Sequence, residues 1–291
     1  MGAEQSAEAP AAEDAAATAQ SDVASAPSTS PAETTPSAPP APLAPKAASL
    51  TAAEIGELNA ADTTNALNEL TNWASTSTDA DVSTLLEQVC TRVRVLCRDE
   101  AECNKCSEAG AAVAVVGAMS AAAQDTAVQL AGLSALVNLC SGATDNTRRA
   151  LSVDAGAVPA IVTAMTTHAT VKDVQHMGCM AIQNICFGED PPALARRKLS
   201  VDSGGVQAVL AAMNSFESLR GAKEVGVITL QLMTYRMPEL RQLAIEAGAK
   251  AEWLKDSGST SGSSRRWLFG TFGTSRKNDF LKRSVTSPPR T

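Results

Sequence analysis

Cys103-Asn104-Lys105-Cys106 places two thiols at i and i+3, with Cys97 and Cys90 upstream in the same segment. Thiols so spaced do two kinds of chemistry: they ligate a thiophilic metal, or they cycle between dithiol and disulfide. A closed zinc site needs four ligands, and no second Cys-x-x-Cys or histidine pair is present to complete one. A redox Cys-x-x-Cys belongs on a βαβ unit, and no strand pattern is visible. The default for such cysteines is a small apolar side chain in a core. Beyond them the chain offers His168, His176 and Tyr235, and no other histidine or tyrosine. His168 stands at the expected end of a helix, where a cation suits the dipole. His176 falls in register with Leu130, an apolar place. No phosphate-binding loop, HExxH or nucleophile elbow occurs. The expectation is a non-enzymatic protein that needs no cofactor, with a zinc or thiol site at Cys103 and Cys106 as the remote alternative.

Two terminal segments carry chemistry of another kind. Met1-Gly2-Ala3-Glu4-Gln5-Ser6 fits the pattern for N-myristoylation at Gly2, although Glu4 is atypical and no cysteine follows. One acyl chain binds a bilayer only marginally, so a second signal is needed. Arg265, Arg266, Arg276, Lys277, Lys282 and Arg283 supply one, interleaved with Trp267, Phe269, Phe272 and Phe280. Each basic residue at an anionic leaflet contributes about 1 kcal/mol. The same tail fits docking on the acidic body or on a partner, and Gly2 fits an unmodified terminus. Thr286-Ser287-Pro288 resembles a proline-directed phosphorylation site, which would add negative charge to the tail.

Between these ends the composition shifts twice. Residues 1–50 hold 17 Ala, 8 Pro, 7 Ser and 4 Thr. So little apolar area cannot offset chain entropy, and a disordered arm is expected. Residues 51–255 show apolar residues at helical spacing. From 256 a Gly/Ser-rich linker leads into the basic, aromatic tail. The body carries 23 acids and 16 bases, while the tail carries 2 acids and 7 bases. A body this acidic is not expected to bind nucleic acid. No apolar run spans a bilayer, and the N-terminus lacks an apolar signal stretch. A cytoplasmic protein, peripheral on a membrane through its ends, is expected.

The body repeats itself. Gly110, Gly156, Gly204 and Gly248 lie in SEAGAAVAVVGAM, VDAGAVPAIVTAM, VDSGGVQAVLAAM and IEAGAKAEWL. Met119, Met165 and Met213 keep the first two offsets, as do Val116, Val162 and Leu210, and Gly132, Gly178 and Gly226. Arg148-Arg149 recurs as Arg196-Arg197, and Cys140 and Cys186 share one position. Leu96-Cys97, in LLEQVCTRVRVLC, marks an earlier, degenerate copy. Each copy reads as a short helix, a glycine corner and two more helices, at 145–153, 157–167 and 171–187 in the middle copy. The corner glycine supplies a conformation that other residues adopt at a penalty. Glycines recurring inside the third helix point to close helix–helix contact.

NTRRALSVDAGAVPAIV followed by VQHMGCMAIQNICFG resembles an armadillo repeat, over roughly residues 63–255. The resemblance implies an all-α, right-handed α-solenoid of about four repeats whose third helices line a groove for extended partner segments. HEAT repeats are the runner-up, but lack the glycine corner. In importin-α-type members a Trp four residues before an Asn on the third helix builds a ladder for basic peptides. The Asn positions here are Asn138, Asn184 and Leu232; the Trp positions are Ser134, Met180 and Ile228. The resemblance therefore marks Ser134, Asn138, Met180, Asn184 and Ile228 as the partner-binding groove, without the aromatic walls that grip lysine stems. For Asn138 and Asn184, hydrogen bonding between repeats is the equal alternative to peptide contact. With Gly2, the chain is similar to short lipid-anchored armadillo adaptors of the vacuolar-membrane or armadillo-repeats-only type. A soluble peptide-binding transport adaptor is the alternative function.

Overall fold

A computed structural model of the chain describes residues 44–77, 79, 81–142, 146–218 and 221–255. Among them every element is helical and no strand occurs: α1 (Ala52–Glu57), α2 (Ala60–Ala74), α3 (Asp81–Leu96), α4 (Glu100–Glu108), α5 (Ala111–Ala121), α6 (Thr126–Leu139), α7 (Asn146–Asp154), α8 (Ala157–Thr167), α9 (Lys172–Cys186), α10 (Pro191–Asp202), α11 (Gly205–Ser215), α12 (Ala222–Thr234) and α13 (Pro238–Glu246). Single 3-10 turns at Lys46–Ser49 and Ala251–Leu254 flank them. None of these helices alone is long and apolar enough to cross a membrane. Gly2 and the tail residues Arg265, Arg266, Arg276, Lys277, Lys282 and Arg283 lie outside the described residues.

The helices begin where the sequence caps them. Thr51 and Glu54 form a reciprocal capping box on α1. Asn59, Asp99 and Asp125 accept hydrogen bonds from first-turn N–H groups of α2, α4 and α6. Pro191 and Pro238 open α10 and α13, where a missing N–H removes no helical bond. Ordered structure also starts before the composition changes. Ala47 is buried, and its N–H donates to Glu69 Oε2 on α2 at 3.1 Å. That anchor lies 22 residues along the chain, so a local composition window does not register it.

Helices α4–α6, α7–α9 and α10–α12 are three copies of one unit. The middle copy falls within about a residue of the boundaries its sequence predicts. Gly110, Gly156 and Gly204 are the N-caps of α5, α8 and α11, with φ of +83°, +83° and +85°. The three corners are therefore equivalent, and α7 and α8 meet at 66° across Gly156. Gly248 follows α13 with φ +108°. Helices α2 and α3 take the second and third places of the degenerate first copy. Like places stack in succession: α3, α6, α9, α12; then α2, α5, α8, α11; then α4, α7, α10, α13.

The recurring marker residues are contacts. A Cβ on Gly132 or Gly178 would lie 2.5 Å from Cγ of Met119 or Met165, and one on Gly226 would strike Met213. The second and third helices of each copy thus close on a methionine laid over bare backbone. Val116, Val162 and Leu210 reach within 4.0 Å of the Cβ positions at Gly156, Gly204 and Gly248, each touching the corner of the following copy. Leu133, Leu136, Ile161, Ile182 and Ile185 complete a continuous core. Each such side chain contributes about 1.5–3 kcal/mol on burial.

Alanine favours a helix interior over glycine by about 1 kcal/mol, yet at position 178 the collision with Met165 outweighs it. Gly178→Ala is expected to destabilise the fold by about 1–3 kcal/mol in urea denaturation. In a Met165→Ala background the same change becomes neutral or stabilising. Stabilisation by Gly178→Ala alone would refute the close contact.

Candidate functional site

The third helices are held together by side-chain amides. Asn138 on α6 donates through Nδ2 to Arg94 O on α3 at 2.8 Å. Asn184 on α9 donates to Val137 O on α6 at 2.6 Å. Gln183 donates to Thr229 Oγ1 on α12 at 2.8 Å. Of the groove residues that the resemblance marks, Ser134 and Asn184 are buried, and Ser134 Oγ donates to Leu130 O within its own helix. For Asn138 and Asn184 the geometry shows hydrogen bonding between repeats. Asn138, Met180 and Ile228 are partly buried, as are Leu130, His176 and Val227. Leu130, Met180, Val227 and Ile228 thus leave partly open apolar side chains along these helices. Helices α3 and α9 both pack against α6, where Ala131 and Ala135 are buried.

Buried arginines hold the far end of the third helices. Arg197 is fully buried. Its Nε donates to Cys186 O at 3.2 Å, one terminal nitrogen donates to Tyr235 O at 3.1 Å, and the other to Gly188 O. Arg196 donates to Ile185 O at 2.7 Å and to Phe187 O and Asn146 Oδ1 at 2.9 Å. One copy earlier, Arg149 donates to Asn184 O at 2.9 Å and to Gly142 O. Arg148 donates to Ser141 O and Asn104 Oδ1 at 2.7 and 2.6 Å. The last carbonyls of a helix lack intrahelical donors and carry partial negative charge, so a guanidinium there satisfies both deficits. Arg149 and Arg197 also lie over the Phe187 and Tyr235 rings at 5.1 and 5.3 Å. Burial pulls the Arg197 guanidinium below its ordinary pKa, which leaves it charged. The sequence signal for this clamp is the recurring Arg-Arg pair; its carbonyl partners are invisible to sequence.

The opposite ends are closed by glutamines. Gln129 Nε2 donates to Met119 O and Ala122 O at 2.7 and 3.0 Å, capping α5. Gln175 does the same to Met165 O and His168 O at 2.8 and 3.0 Å, capping α8. His168 itself bridges copies, with Nε2 3.0 Å from Ala123 O and Nδ1 3.1 Å from Thr126 Oγ1. A carbonyl only accepts, so Nε2 is the donor in that bond. In the next copy Lys223 replaces the glutamine and sits over the Trp253 ring at 5.8 Å. The linker there runs 216–221, where its counterparts run 122–125 and 168–171. A cleft of about 270 Å³ opens at this break, lined by Lys172, His176, Cys179, Met213, Phe216 and Val225 among others. Burial lowers the His176 pKa below the ordinary imidazole value.

All seven cysteines are buried, and none is joined in a disulfide. Burial pushes Cys140 and Cys186 up to about 11, and Cys90 and Cys179 to about 12. No group of three or more His, Cys, Asp or Glu among the described residues is arranged to hold a metal ion. No family model, curated protein or solved structure matches the chain.

The clamp makes a contrast that is easy to measure. Arg197→Lys removes the guanidinium fork from three carbonyls and is expected to cost about 2–4 kcal/mol. Lys198→Met breaks only an exposed pair with Asp202 and should cost under about 0.5 kcal/mol. Chemical denaturation of both variants checks the difference; equal effects would refute the clamp.

Proposed function

We propose that the chain is a short armadillo-type solenoid and works as a non-enzymatic scaffold, holding an extended segment of a partner protein along its third-helix face. The observation that carries this reading is the register of three successive units. Glycine corners and methionine–glycine contacts recur at matching positions in all three, and arginine clamps in two of them. Units built this way bury their apolar faces only against neighbours, and a row of like helices presents a long surface. Met180, Ile228 and Leu130 supply apolar contacts on that surface, and the cleft at His176 and Phe216 accepts one larger apolar side chain. A basic-peptide receptor of the importin-α type finds less support, because Asn184 is engaged within the fold and the aromatic ladder is missing. Gly2 acylation and the basic tail extend the proposal to a cytoplasmic membrane face, where Gly2→Ala would move the protein from the membrane pellet to the soluble fraction.

Photo-crosslinking amino acids placed at 180 and 228 are expected to capture one partner in cells. The same probe at Val113, which is 62% exposed on α5, should not capture it. Equal capture from position 113, or none from 180 and 228, would overturn the proposed face.

A further inference from the structure

The row of third helices carries, at its α3 end, two cations that the fold does not pair. Asn138 reaches Arg94 O as Asn184 reaches Val137 O, so Arg94 on α3 and Val137 on α6 hold the same place. On α9 that place belongs to Gln183, the residue before Asn184. Val137 is buried, and Gln183 is satisfied across layers, its Nε2 donating to Thr229 Oγ1 on α12 at 2.8 Å. Thr229 stands three residues after Gly226; three after Gly132, on α6, stands Ala135. A methyl group there offers Arg94 no acceptor, and its Nε is enclosed without a hydrogen-bond partner.

Arg98 follows four residues later, exposed in the turn that ends α3. Among the described residues neither guanidinium makes a hydrogen bond or an ion pair. Like charges so spaced repel. Burial first, and Arg98 second, lower the Arg94 pKa, yet a guanidinium stays charged. A helix C-terminus suits cations, which accounts for where the pair sits but leaves its charge uncompensated, in a body where acids outnumber bases. Val95, in register with Asn138, is exposed between the two arginines in sequence, so the pair borders the third-helix face.

We propose that Arg94 and Arg98 form an anchor site for a carboxylate, supplied by an aspartate or glutamate of the extended partner segment along the third helices. That the carboxylate belongs to a protein segment rests on the function proposed above; the demand for an anion rests on the arginines alone. With Nε enclosed, Arg94 meets the ligand through its terminal nitrogens, whose fork matches two carboxylate oxygens end-on. Enclosure of the stem also thins the water around the charge, which strengthens such a pair. Packed helices lie roughly 8–10 Å apart, and an extended chain rises about 3.3 Å per residue. Met180, two helices on, therefore meets a side chain about five or six residues from the acid, and Ile228 one about seven to nine away.

Fluorescence anisotropy of the full chain with labelled ten-residue peptides tests the site. The probe carries two glutamates at one end and leucines five and eight residues beyond the second; counterparts carry glutamine, lysine or phosphoserine instead, each made in both chain directions. At low salt the glutamate peptide should bind at least about tenfold more tightly than the glutamine peptide. Arg94→Gln combined with Arg98→Gln should bring that ratio to about one, with helical circular dichroism unchanged. Lys105→Gln with Lys198→Gln removes equal charge from exposed cations paired elsewhere and should preserve it. Met180→Ser with Ile228→Ser should weaken both peptides alike; undiminished affinity there would overturn the third-helix face while leaving the arginine anchor standing. No measurable binding, a wild-type ratio near one, a ratio kept by the arginine variant, or preference for the lysine peptide would each overturn the anchor. Binding of the phosphoserine peptide more than about tenfold tighter than the glutamate peptide would reassign it to phosphate and overturn the carboxylate.

Discussion

The distance between the second and third helices of each layer depends on a carbon that is absent at Gly132, Gly178 and Gly226. Met119, Met165 and Met213 lie across those bare stretches, with carbons where a Cβ would otherwise be. Methionine suits the place because its unbranched chain fills an irregular gap. The closeness of those two helices brings valine and leucine onto the next glycine corner. Spacing within a layer and spacing between layers are thus set by neighbouring turns of the same helix. A change in one propagates to the other, as expected where interiors are close-packed.

A second constraint comes from helix ends. Stacked short helices leave many terminal carbonyls inside the protein, and each needs a donor. Long side chains from neighbouring elements meet this need: Arg149, Arg196 and Arg197 at the ends of third helices, Gln129 and Gln175 at the ends of second helices. The arginines are buried cations in a chain of net negative charge, and their partners are mainly carbonyls rather than carboxylates. Where the pattern lapses, the surface changes. Lys223 in place of glutamine coincides with the cleft.

Much of this order was legible in the sequence, because residues that set geometry recur with it. Gly156 announced its corner, and the helix boundaries around it followed. For Asn138 and Asn184 the sequence left hydrogen bonding between repeats and peptide contact as equal alternatives, and the role of Ser134 was not legible. Register says which positions are alike, but not what they face; Asn184 finds its carbonyl 47 residues away. The arginine pair was visible as a marker and its use was not, since carbonyl acceptors belong to every residue alike. Ala47 was hidden in an alanine-rich segment because one long-range contact with Glu69 decides its order.

Each layer therefore owes its stability to its neighbours. Helices α6 and α9 are covered on both sides by like helices, while α13 borders only the last copy. Native-state amide hydrogen exchange measures this dependence residue by residue. If the layers are successive copies stabilised by stacking, the amides of α6 and α9 exchange slowest and those of α13 and 251–254 fastest. Exchange from α6 as rapid as from α13 would contradict the account.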